Sequence, residues 1–123
     1  MEPSLRIEIF TADVAASAAF LRETLGFDER YRQHEGSRLS YIALDRGVAR
    51  IGVGAAWEAV DPQARHVPRG AEIVLEVDDI EDEYRRVMMA GWPVEGPPQK
   101  RPWGLTDFRL SDPNGYYFRI TNR

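Results

Sequence analysis

Residues 5–27, "LRIEIFTADVAASAAFLRETLGF", decide the fold. The stretch opens on strict alternation, which sets Ile7 and Ile9 on one face of a strand and Arg6 and Glu8 on the other. Asp13 then stands where a helix N-cap belongs. Behind it Val14, Ala18, Leu21 and Leu25 recur at spacings of four, three and four, a single apolar stripe on a helix, and Gly26 is placed to stop it. A shift of 66 positions brings the same design back. "EIVLEV" (72–77) alternates, Asp79 takes the capping position, and Ile80, Tyr84, Val87 and Gly91 repeat the spacing. The chain therefore contains one strand–helix unit twice.

Each copy is followed by further strand-like material broken by turn residues. In the first half the strands are expected near Phe27–Arg32, Leu39–Leu44 and Val48–Val53. In the second they are expected in a short proline-crowded piece near Trp92–Glu95, then at Leu105–Leu110 and Tyr116–Thr121. Asp112-Pro113-Asn114-Gly115 fits a type I turn, with proline second and glycine fourth. The result is α+β, two tandem βαβββ modules at about 5–54 and 71–123, joined by a Gly- and Pro-bearing linker at about 55–70. All of it forms one domain, 1–123. One helix per four-stranded sheet leaves the opposite sheet face to be buried or filled.

Bulk properties narrow the function. With 123 residues and 43% hydrophobic content the chain supports one compact core. It has no cysteine, which removes disulfides and thiolate chemistry. The start lacks a basic segment leading into an apolar run, and no apolar stretch reaches membrane-spanning length, so a cytoplasmic protein with no membrane partner is expected. The net charge of −4 arises from mixed acids and bases with no basic block, which argues against nucleic acid as a partner.

"DVAASAAFLRETLGF", "VDDIEDEYRRVMMAGW" and above all "PWGLTDFRLSDPNGYYFRI" resemble the vicinal-oxygen-chelate superfamily, which includes glyoxalase I, extradiol dioxygenases, fosfomycin-resistance enzymes and bleomycin-resistance proteins. The resemblance spans nearly the whole chain. It implies that the sheets of the paired modules curl into a cup that holds the ligand, usually in a homodimer. In metal-dependent members, side-chain ligands sit on the first, fourth, fifth and eighth strands. The matching positions here are Arg6, Ile51 or Gly52, Glu72 and Arg119. Guanidinium groups keep their protons and offer no acceptor, so two of these positions are hostile to a divalent cation, and no metal or other cofactor is expected. His34 and His66 lie in a predicted turn and in the linker.

If Ile7, Ile9, Ile73, Leu75, Phe118 and Ile120 cover the helices, then Arg6, Glu8, Glu72, Val74, Glu76, Tyr117 and Arg119 face the cup, together with Arg50, Gly52, Asp107 and Arg109. Arg6, Arg50 and Arg119 nearly balance Glu8, Glu72 and Glu76. These charges either pair in a network lining the cup or are solvated at the strand ends. Tyr41 is on a nearby strand and Trp57 is in the linker. The resemblance makes Trp103, followed by Gly104, a stacking platform, because a Trp-Gly pair precedes the penultimate strand in bleomycin-resistance proteins. The expected function is metal-independent binding of a drug or metabolite, with the acidic total charge favouring a cationic ligand. The alternative is a metal-independent lyase or isomerase using Glu8, Glu72 or Glu76 as general base.

Overall fold

The computed structural model describes residues 3–56, 61–62 and 70–123. Two compact units, Met1–Val60 and Asp61–Arg123, divide the chain. The first contains β1 (Ile7–Thr11), α1 (Val14–Glu23), β2 (Asp28–Glu35), β3 (Arg38–Arg46) and β4 (Ala49–Ala55). The second contains β5 (Ile73–Glu76), α2 (Ile80–Met89), β6 (Gln99–Lys100), β7 (Thr106–Ser111) and β8 (Tyr117–Thr121). The sheets have matching orders, β1-β4-β3-β2 and β5-β8-β7-β6. In each, the strand before the helix pairs parallel with the last strand, β1 with β4 and β5 with β8.

Both helices begin where the repeat places them. The Asp13 carboxylate accepts from Ala16 N and that of Asp79 from Asp82 N, each at 3.0 Å. Each bond satisfies an N–H that the first helical turn leaves without an intrahelical partner. On the inner side of α1, Val14, Ala18, Phe20 and Leu21 are buried, as is Leu25 just past the helix, against Ile42 and Leu44 of β3 and Ile51 and Val53 of β4. Each large aliphatic side chain in this layer contributes about 1.5–3 kcal/mol by leaving water. In the second unit the Tyr84 ring meets the Phe108 ring edge-on at 5.4 Å, so α2 rests on β7. Phe27, after the first helix, is buried, and Trp92, after the second, is half-buried with its Nε1 donating to Ser111 O at 2.7 Å.

Two sequence expectations need correction. The sixth strand lies at Gln99–Lys100, later than Trp92–Glu95. Pro93, Pro97 and Pro98 have no N–H to give a ladder, so the backbone of Glu95 makes a single bond to β7, its N–H to Arg109 O at 2.9 Å, and regular pairing resumes only with Gln99 opposite Asp107. His34 belongs to β2, opposite Leu39, rather than to a turn; a register shift just before it absorbs the irregularity. His66 and Trp57 lie outside the described residues. The Asp112–Gly115 turn forms as read: Gly115 N donates to Asp112 O at 3.0 Å, and Asp112 Oδ1 accepts from Asn114 N and Tyr116 N.

Candidate functional site

The open face of the first sheet is built around a missing side chain. Glu8 pairs across with Gly52, and Ala43 lies opposite Gly52 on the other side. A Cβ on Gly52 would collide with Glu8 Oε2 and the Tyr41 hydroxyl. The space left by glycine is filled by that pair: Tyr41 donates to Glu8 Oε1 at 3.0 Å, and Arg6 Nε reaches the same oxygen at 2.7 Å. Burial, and then the hydrogen bond to Glu8, raises the Tyr41 pKa. Arg50 turns elsewhere, donating from Nη2 to Ser4 Oγ at 2.9 Å rather than to a carboxylate. Parity along β1 also puts Phe10 on this face, and Tyr31, opposite Ala43, stands 6.4 Å from Tyr41 ring to ring. Both Phe10 and Tyr31 are about half exposed.

The open face of the second sheet carries the denser charge. Val74, Arg119 and Arg109 lie in one cross-strand row, set there by the registers of β5 on β8 and of β7 on β8. Glu72 bridges the two arginines, with Oε2 at 3.2 Å from Arg109 Nε and Oε1 at 3.3 Å from Arg119 Nε. Asp107 is only 1% exposed, and its Oδ1 lies 2.9 Å from Arg101 Nε and 3.6 Å from Arg109 Nη1. Among the described residues its Oδ2 has no donor. A cavity of about 430 Å³ opens among Glu72, Glu95, Gln99, Arg101, Arg109 and Tyr117. The Tyr117 hydroxyl donates to the Glu95 carboxylate, and burial together with that bond and the carboxylate charge pushes its pKa up to about 12, against the pull of Arg109. For Arg109, burial opposes the charged form, but Glu72 and Asp107 outweigh it and the pKa is raised.

Strand parity thus brings together Glu72, Arg109, Tyr117 and Arg119 in one unit and Arg6, Glu8 and Tyr41 in the other. Glu76 is exposed at the end of β5 and has no ion-pair partner among the described residues. Trp103 is 59% exposed and, with Gly104 (φ 95°), occupies the loop of the β6–β7 hairpin, which Arg101 N closes by donating to Leu105 O at 2.7 Å. Neither residue lines the cavity. Sequence reasoning missed Glu95, Gln99 and Arg101, which form its outer wall. A signal for Arg101 was present, since an acid predicted to face inward at Asp107 demands a cation, and Arg101 is the nearest one across the hairpin.

The positions that hold metal in the resembling enzymes do not fit a cation here. Gly52 brings no donor, Arg6 and Arg119 are cations themselves, and both oxygens of Glu72 are already engaged by guanidinium groups.

The family model for the Glyoxalase/Bleomycin resistance protein/Dioxygenase superfamily matches residues 5–120. The chain belongs to that superfamily. Its fold is shared with TioX from Micromonospora sp. ML1, at a TM-score of 0.80 and 21% identity over 98% of each chain. A bleomycin resistance determinant encoded on the transposon Tn5 gives 0.78 and 23% identity, covering 99% of this chain and 98% of its own. A bleomycin-binding protein complexed with bleomycin gives 0.76 and 24% identity over 99% of each. At these identities the likeness concerns the fold alone. No curated protein matches significantly.

Proposed function

We propose that this superfamily member is a small-molecule-binding protein that sequesters a drug or metabolite without converting it, and that it works as a homodimer. The observation that carries the reading is the state of the carboxylates around the second-unit cavity. Glu72 is held by two guanidinium groups, buried Asp107 by two, and Glu95 by the Tyr117 hydroxyl. Groups paired in this way orient a ligand well and serve poorly as proton acceptors. The cavity volume falls within the usual range for small-molecule sites. Trp103, exposed on the hairpin loop, offers an aromatic face beside it in sequence. The homodimer reading is supported by the sheets: within each unit one helix covers one face, while Phe10, Tyr31 and Val74 remain exposed on the other.

The test is calorimetry with bleomycin and a panel of smaller drugs and metabolites, each recovered afterwards and checked by mass spectrometry. Binding with intact ligand is expected, and Trp103→Ala should weaken it by about 1–3 kcal/mol. A chemically changed ligand, with conversion lost in Glu8→Gln or Glu72→Gln, would instead establish the lyase or isomerase reading.

A further inference from the structure

We infer that the cavity of the second unit grips its ligand by a carboxylate, held between Arg101 and Arg109. This rests on the reading that the cavity binds a small molecule, and adds which chemical group it recognises. Asp107 Oδ1, on a side chain sealed from water at 1% exposure, draws both guanidinium groups to a single oxygen, and Arg109 meets a second carboxylate in Glu72. Arg101 spends only Nε on it, and Arg109 spends Nε on Glu72 and Nη1 on Asp107. Among the described residues, both Nη groups of Arg101 and Nη2 of Arg109 have no further acceptor. Both residues line the cavity.

Acceptors are scarcer than donors on the same walls. Glu72 Oε2 accepts from Arg109 and its Oε1 is held in an ion pair with Arg119, one Glu95 oxygen takes the Tyr117 hydroxyl, and Tyr117 stays neutral at physiological pH. Asp107 Oδ2 also lacks a donor among the described residues, but Asp107 does not line the cavity. The unsatisfied capacity of the wall itself is for an acceptor, and guanidinium edges match a planar oxyanion two bonds at a time. Glu72 and Glu95 also line the cavity and would repel a phosphate dianion more than a monoanion, which selects the carboxylate. The net charge of −4 is spread over the whole chain and does not set the polarity of this wall.

The experiment titrates benzoate and, as its cationic counterpart, benzamidine into the full chain, reading arginine Nε–Hε resonances by NMR and affinity by calorimetry. Benzoate should move the Arg101 and Arg109 resonances, and benzamidine should bind at least tenfold more weakly. Arg101→Gln should abolish benzoate binding. Arg101→Lys, which retains the charge opposite Asp107 but loses the planar fork, should weaken it about tenfold, and this variant decides the matter if Arg101→Gln does not fold. Preference for benzamidine, silent arginine resonances, or benzoate affinity unchanged in Arg101→Lys would each overturn the proposal. If drugs or metabolites bind intact while benzoate does not, the clamp fails and the sequestration reading survives. If no compound of either kind binds, both fail.

Discussion

Gly52 contributes by having no side chain. Its Cα faces the Glu8 carboxylate and the Tyr41 hydroxyl, both close enough that a methyl group must displace them. Gly52→Ala should therefore cost about 1–3 kcal/mol, measured by urea denaturation, although alanine suits a strand better than glycine does. Asp107 is the opposite case, a full charge under the sheet surface. Asp107→Asn would leave Arg101 and Arg109 facing each other without their shared counter-charge, and a loss of about 3 kcal/mol is expected in the same assay. Tyr117 offers a pH test. Its folded pKa, about 12, lies above the ordinary value of 10, so the neutral phenol favours the folded state. That contribution is complete below pH 10 and is lost as pH rises towards 12. The Tyr41 pKa is raised as well, so tyrosinate absorbance should show more than one late-titrating tyrosine, of which Tyr117→Phe removes one, and the stability of the variant should fall less steeply over that window.

The helices test what caps do when burial differs. α1 buries Val14, Ser17, Ala18, Phe20 and Leu21, whereas α2 buries only Ile80, Glu83 and Val87. Either cap variant, Asp13→Ala or Asp79→Ala, should cost about 1 kcal/mol. With fewer buried anchors α2 should also open locally, so Asp79→Ala is expected to speed amide exchange through Ile80–Met89 more than Asp13→Ala does through Val14–Glu23. These helices were legible because the four-three-four spacing and the aspartate caps act within a few residues of one another. The alternating strands were legible for the same reason, each to within a few residues at its ends. The sixth strand was not. Its short ladder is fixed by a partner strand and by where three prolines forbid bonding, and composition near Trp92 cannot show where pairing resumes.

At the scale of the molecule, alternation told which side a residue faces but not how deep it sits. Asp107 and Arg109 were both assigned to the open face by parity, yet one is sealed and the other lines a cavity, a difference decided by Arg101 reaching across the hairpin. Arg50 shows the converse: parity on β4 assigns it to the open face, but it is drawn to Ser4 through a segment whose course no periodicity records. The homodimer proposed above should appear by sedimentation velocity as a concentration-dependent species of twice the chain mass. A monomer at all concentrations up to the high micromolar range would leave the exposed aromatic face to some other purpose.

The outer wall of the cavity has a further consequence. Glu95, Gly96, Pro97 and Gln99 belong to a segment fastened to β7 by one backbone bond and a two-residue ladder, while the core beneath is held by β5, β7 and β8. Insertions and substitutions there would leave the scaffold almost untouched. Lineages sharing this architecture could accordingly acquire new chemical appetites by rewriting half a dozen codons, with little penalty in folding to slow the search.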